Sequence, residues 1–367
     1  MSVQVSYKKQ FVLGIMLVFV ILISIEGIVR FSEYTYTECA FVGTEIMSNI
    51  DLSTQKQICS DFNALEFRFE PYLEYLPNQA QGTVNINSHG TRGSDFDVPK
   101  PDNIFRIIVV GGSTVFGSGT TDETTIPGLL EQKFNEHKFS KKIEVINGGL
   151  SGSFSTTETY RIHNKYLDFE PDLLIIYSGW NDAQKKALVG DTNEERLDNY
   201  LKEKDSFSAF LSENVRYIRS MDLLFNTLYS DTYTLTSEIS IKKNANAWKN
   251  TWMETCTELQ DKNIDTIFAL QPVIGHPKKF LTEHEEKYAN NPNYKQLTKI
   301  IDVFSESLPE IETKCKNTLD LRDSFSNISE QIYYDEGHMG LLGNTIIVEK
   351  IYDIAYPIVS QEIDNSS

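Results

Sequence analysis

Positive charge is in short supply in this 367-residue chain, where 34 lysines and arginines stand against 52 aspartates and glutamates, a net charge of −18. A nucleic-acid partner wants a basic surface, so that class is excluded. The acidity itself implies solubility and names no substrate. Cysteine is sparse too: Cys39, Cys59, Cys256 and Cys315 match no zinc spacing. Apart from one histidine considered below, His89, His137, His163, His276 and His284 show no metal-ligand spacing, and surface or capping roles suit them. No metal or cofactor is therefore expected. Internal repeats and long low-complexity tracts are missing, which leaves no sign of a solenoid or a disordered array. What remains is an ordinary globular composition, 40% hydrophobic and 23% charged, in a length that holds one large domain or two.

The one long apolar run lies at the start. Lys8 and Lys9 precede Phe11–Ile25 without a polar interruption beyond Ser24, then Glu26 intervenes and Gly27-Ile28-Val29 leads to Arg30. Phe11 to Val29 is 19 residues, roughly 28 Å of helix and close to the hydrocarbon thickness of a bilayer. No small-x-small cleavage site follows, which favours an uncleaved anchor over residues 1–30, with a signal peptide as the alternative. Lys8 and Lys9 place the N-terminus inside and the main domain outside the cytoplasm, although Arg30 on the far side pulls the other way. An even cysteine count suits that compartment. Locality in the chain favours Cys39–Cys59 and Cys256–Cys315 as pairs, free thiols being the alternative. Asn327 and Asn365 each begin an Asn-x-Ser triplet, a pattern that also arises often by chance.

Residues 31–103 lack strong periodicity and are rich in turn formers, from Tyr72, Tyr75, Pro77 and Asn78 to Asn87-Ser-His-Gly-Thr-Arg-Gly93. They read as an extension wrapping the core. From Phe105 strands and helices alternate. The predicted strands are Phe105–Val110, Ile143–Ile146, Leu173–Tyr177, Ile264–Leu270 and Thr318–Leu321. Helices are expected after the first strand (Ile126, Leu129, Leu130 and Phe134 on one face), over Thr156–Leu167, Trp248–Leu259 and Tyr294–Ile311, and from Leu341 to Val359. A helical insertion is expected at about 191–245, with an apolar stripe that includes Tyr200, Phe207, Phe210 and Leu224. Repeated β-α units predict an α/β class: a three-layer α/β/α sandwich with a mostly parallel five-stranded sheet over residues 104–367, plus an N-terminal transmembrane helix.

The polar loops fall at the ends of these strands, the edge of an open α/β sheet where ligands bind. Gly111-Gly112-Ser113 follows the first strand, and Ser113 is a candidate nucleophile, though such a loop alone is more often a turn. Asp335 and His338 are three residues apart, close enough for one turn to set the carboxylate on imidazole Nδ1 and leave Nε2 for the serine proton. The same pattern also serves as a helix-start cap. Gly152, Asn181 and the Ser113 backbone N–H are candidate oxyanion donors, with innocent alternatives as a turn glycine and a helix N-cap.

Taken in order, Gly-Gly-Ser113, Asn147-Gly-Gly-Leu-Ser-Gly152, Gly179-Trp-Asn181-Asp182 and Asp335-x-x-His338 resemble the blocks of the SGNH/GDSL hydrolase superfamily over about residues 104–358. The resemblance implies Ser113 as nucleophile, Asp335 and His338 as the acid–base dyad, and Ser113, Gly152 and Asn181 as the oxyanion hole. Two positions depart from the family pattern: Gly112 stands where Asp is usual and Thr114 where Leu is usual. The anchor, the segment ending at Gly93 and Gln271-Pro272 look like membrane-tethered members linked to envelope polysaccharides. The implied activity is a serine esterase acting on O-acyl groups of cell-envelope glycans or lipids. An O-acyltransferase with the same site, or a non-catalytic glycan-binding protein, is the alternative. The implied partners are an acyl-ester substrate and, through the N-terminal helix, a membrane.

Overall fold

Five runs of this chain form parallel strands, the three central ones buried on both faces and the two edge ones only partly buried. In the computed structural model, which describes residues 6–36, 39–69, 73–184, 192–204, 220, 238–276 and 278–365, they are β5 (Ile104–Gly111), β6 (Lys142–Gly149), β7 (Leu173–Ser178), β8 (Asp265–Leu270) and β9 (Asn317–Asp320). They pair in the order β6-β5-β7-β8-β9, and every pair is parallel. Successive side chains point to opposite faces. Ile107, Val109, Ile175 and Ile267 thus pack under α4 (Ile126–Asn135) and the C-terminal helix α12 (Leu341–Asn365). Ile108, Val110, Leu174, Ile176 and Phe268 pack under α5 (Ser155–Asn164), α8 (Glu238–Asp261) and α10 (Pro292–Ser305). On α8, Trp248 and Trp252 lie one turn apart and are fully buried, Trp248 stacking on Phe304 with centroids 4.6 Å apart. Truncating either to alanine would cost about 3–5 kcal/mol. The result is a three-layer α/β/α arrangement.

One expected helix is two. The run read as Tyr294–Ile311 is α10, ending at Ser305, followed by α11 (Leu308–Glu312). Pro309 is the cause, because it lacks an N–H and its ring would meet the carbonyl four residues back. The helix expected from Trp248 starts ten residues earlier, at Glu238.

The chain divides into two compact units, residues 1–38 with 201–232, and residues 39–200 with 233–367. In the first, α1 (Tyr7–Tyr36) contains a 26-residue stretch, Tyr7–Ser32, long and apolar enough to cross a membrane, none of it buried in protein. Glu26, which interrupts the apolar run, pairs with Arg30 at 2.7 Å and accepts hydrogen bonds from the Ser220 N–H and hydroxyl at 2.9 and 2.8 Å. The helical insertion expected at 191–245 lies largely outside the described residues, as do Phe207, Phe210 and Leu224. Of that region α7 (Asn193–Lys204) is helical, and its Tyr200 packs edge-on against Phe154.

Within the second unit, residues 39–103 hold more regular structure than their aperiodic sequence suggests: α2 (Leu52–Asn63), and two antiparallel pairs, β1 (Phe67–Phe69) with β2 (Leu73–Tyr75) and β3 (Gln79–Ala80) with β4 (Asn85–Ile86). Single bridges from Arg92 to Ile86 and to Asn147 join this segment to β6. Both expected disulfides are present: Cys39–Cys59 closes the start of the segment onto α2, and Cys256–Cys315 ties α8 to the approach of β9.

Candidate active site

β5 ends at Gly111 and Gly112 follows it, and close approach requires both glycines: a Cβ would fall 2.5 Å from the Tyr177 carbonyl oxygen and 2.4 Å from the Asn181 amide nitrogen, respectively. Gly112 is extended, Ser113 opens the one-turn helix α3 (Ser113–Phe116), and Gly117 closes it at φ +90°, with its N–H donating back to the Ser113 carbonyl. Asn147, near the end of β6, fixes that turn from the side: its Nδ2 donates to the Val115 carbonyl at 3.0 Å, while its Oδ1 accepts from the Gly149 N–H at 3.0 Å. Gly149 is needed there, since a Cβ would fall 2.1 Å from the Phe116 nitrogen.

Ser113 Oγ lies 2.6 Å from His338 Nε2, and His338 Nδ1 lies 2.7 Å from Asp335 Oδ2. Nδ1–H donating to the carboxylate leaves the Nε2 lone pair to accept the serine hydroxyl. Asp335 does more than hold the imidazole. Its Oδ1 accepts from the Gly337 and His338 N–H groups at 3.0 and 2.7 Å, which curls the loop so that the histidine comes back onto its own aspartate. Tyr334 stacks nearly parallel on the imidazole, centroids 5.7 Å apart, and its hydroxyl donates to the Ser118 carbonyl. Burial pushes the Asp335 carboxyl up, but the His338 hydrogen bond and charge and the two N–H donors outweigh it and hold it below the usual carboxylate range. For His338, burial alone pushes the imidazole down; the Asp335 hydrogen bond and charge, with Glu336, outweigh that and raise it above 6.5.

The other two motif loops meet beside the serine. Asn181 lies in the first turn of α6 (Trp180–Gln184), after Gly179 at φ +135°. One N–H of its amide donates to the Ser153 carbonyl at 2.6 Å, which orients the group; an amide nitrogen carries a second. A Cβ on Gly112 would fall 2.4 Å from the same nitrogen, so the residues flanking Ser113 and Gly152 both touch Asn181. Gly152 is exposed, at φ +74°, with open space where a side chain would project. The geometry thus brings Ser113, His338 and Asp335 into one hydrogen-bonded chain, with Asn181 and the Gly152 loop alongside.

Several supporting residues have no role assigned by the motif blocks. Arg92, 3% exposed, donates to the carbonyls of Phe116, Gly117 and Thr120 and pairs with Asp122 at 2.7 Å, holding the loop after Ser113. The turn-rich segment ending at Gly93 shows no pattern that marks this arginine. Asp182 is 1% exposed and accepts from the Ser155 N–H at 2.9 Å and hydroxyl at 2.5 Å; it also pairs with the buried Arg196. This ties the Asn181 loop to the start of α5. Glu285, on α9 (Glu283–Ala289), is fully buried; Oε1 accepts from the Ile332 and Tyr333 N–H groups at 2.9 and 3.1 Å and Oε2 pairs with Lys279. It thereby anchors the strand of chain leading to Asp335. Of the remaining histidines, His284 contacts the Tyr334 carbonyl and His89 that of Phe96. Among the described residues no group of His, Cys, Asp or Glu is placed to hold a metal ion.

No protein-family model matches the chain, and no curated protein matches it. Solved structures similar to it include the acetyl xylan esterase AlAXEase, 12% identical, covering 68% of this chain and 99% of that one with a TM-score of 0.41. A G-D-S-L-family protein from Desulfitobacterium hafniense DCB-2 is 13% identical, covering 66% and 95% with a TM-score of 0.38. The acetylxylan esterase Axe2 of Geobacillus stearothermophilus is 13% identical, covering 68% and 93% with a TM-score of 0.40. A five-stranded parallel sheet between helical layers, with the four motif blocks in the loops that follow its strands, is the fold that the resemblance to SGNH/GDSL hydrolases implies.

Proposed function

We propose that this chain is a serine esterase that cleaves acyl esters through Ser113, His338 and Asp335. The observation that carries the reading is the continuous contact from Ser113 Oγ to His338 Nε2, at 2.6 Å, and from Nδ1 to the Asp335 carboxylate, at 2.7 Å. His338 takes the serine proton as Oγ attacks the ester carbonyl, and Asp335 stabilises the imidazolium that forms. The oxyanion sits among the Ser113 and Gly152 N–H groups and the Asn181 amide. As the tetrahedral species collapses, His338 returns the proton to the departing alcohol. Water then attacks the acyl-enzyme, giving its proton to His338, and Ser113 leaves protonated with release of the acid.

The substrates proposed are O-acyl groups on cell-envelope glycans or lipids, met by a domain held outside the cytoplasm on α1. The apolar helix and the two disulfides support that placement. The test is labelling of the full chain with a fluorophosphonate probe, alongside hydrolysis of a short acyl ester. The wild type is expected to label and turn over; Ser113→Ala is expected not to label, and His338→Ala to lose about a thousandfold or more in rate. A wild type that takes up no probe and hydrolyses nothing overturns the assignment.

A further inference from the structure

Where β2, the turn at Ser88–Gly90 and α5 come together, an open cavity of about 390 Å³ is lined by Arg68, Glu74, Tyr75, Tyr160, Arg161 and Lys165, among others. Neither Ser113, Asp335 nor His338 is in its wall. Three cations and one carboxylate line the wall, in a protein where acidic residues outnumber basic ones by 52 to 34; the buried Glu158 also acts on Arg161, its own carboxyl pushed well up by burial. Such a local reversal of sign inside a concave wall focuses potential on anions.

Glu74 does not satisfy the cluster. Its Oε2 reaches Lys165 Nζ at 3.2 Å, but Oε1 stops 3.6 Å from Arg161 Nε, beyond hydrogen-bond reach. Arg161 is 1% exposed; one of its terminal nitrogens donates to the Gly148 carbonyl at 3.1 Å, while the buried Nε makes no hydrogen bond. A buried guanidinium N–H without an acceptor is an unfavourable arrangement that an incoming anion would relieve. Lys165 tells the same story. Burial first, then the neighbouring Arg161 and Arg68 charges, lower its affinity for a proton against the pull of Glu74. Tyr75 also lines the cavity, its hydroxyl donating to Ser151 Oγ at 3.1 Å, next to Gly152, and Tyr160 adds a second phenol.

We propose that this cavity is a second binding site, for a ligand bearing a carboxylate or phosphate group, held by Lys165, Arg68 and the Arg161 guanidinium. The anion replaces the acceptor that Arg161 lacks, and the tyrosines flank the polar remainder of the ligand. The site stands whether or not Ser113 proves to be a nucleophile, because it shares none of the three triad residues.

The test is calorimetric titration of the full chain in detergent with inorganic phosphate, with glucuronate, and with glucose as the uncharged control. Saturable binding of either anion with none of glucose is the expected result, and the anion that binds identifies the group recognised. Lys165→Gln and the more exposed Arg68→Gln are each expected to weaken binding about tenfold. Fluorophosphonate labelling, or the thermal transition if the chain does not label, reports that the variants are folded. Absence of saturable binding by both anions, equal binding of glucose, or unchanged affinity in both folded variants overturns the proposal.

Discussion

A single missing side chain shapes the candidate oxyanion site: residue 112 is glycine, and any Cβ there would sit 2.4 Å from the Asn181 amide nitrogen. Gly112→Ala is therefore expected to push the amide away from the developing charge. The rate constant kcat should drop about tenfold or more with KM little changed, because that contact forms only in the transition state. An equal rise in KM would instead mean that the alanine blocks substrate. The protonation of His338 sets a second expectation. A base must be neutral, and Asp335 raises the imidazole above 6.5, so kcat/KM should climb with a limb above that pH. Asp335→Asn removes the largest raising cause, so the limb should move to lower pH while the rate falls about 10³–10⁴-fold. A limb that stays in place assigns it to another group. For stability the signs are opposed: the His338 contribution is full below pH 6.5 and fades as pH rises through its raised pKa, whereas that of Asp335 fades as pH falls below 3.8. Asp335 and His338 were legible in the sequence because their pairing is local, three residues apart. Arg92, Glu285 and the Asp182–Arg196 pair were not, since, Lys279 beside Glu285 aside, their partners lie 14 to 48 residues away in the chain and nothing short-range announces them.

At the level of elements, the strands were the readable part, because burial on both faces demands unbroken apolar runs such as Leu173–Ser178. Helix ends were less so. Apolar spacing carries on through Leu308 and Ile311, and only the covalent geometry of Pro309 breaks the helix there. The segment from Cys39 to Pro101 hid α2 and its two short hairpins, whose strands of two or three residues are too brief to show a period. The Cys256–Cys315 bond matters at this scale because it joins α8 to the edge strand β9 across 59 residues. A loop of that length restricts the unfolded chain by about 4 kcal/mol. Replacing both cysteines by serine is expected to lower stability by about that amount in denaturant titrations, with a steeper slope because the freed unfolded chain exposes more surface. A change below about 1 kcal/mol would mean that the reduced chain is already held by the aromatic packing of Trp248 and Trp252.

For the molecule as a whole, α1 and the enzyme-like unit pose a question of placement. With Lys8 and Lys9 retained inside, the full chain is expected to stay in the membrane fraction after carbonate washing, and protease added to spheroplasts or intact cells should digest residues 39–367. A domain protected until the membrane is dissolved would overturn the proposed orientation. The sequence by itself determined the α/β alternation, the apolar N-terminal helix and the identity of the candidate nucleophile, base and acid, because these rest on periodicity, run length and neighbours in the chain. Tertiary structure alone decided which loops touch: that Asn181 reaches the Ser153 carbonyl, that Arg92 grips the turn after Ser113, and that Arg68, Arg161 and Lys165 gather around one carboxylate. Those contacts join residues far apart in sequence, and only the packing of the sheet and its helices brings them within hydrogen-bonding or coulombic range.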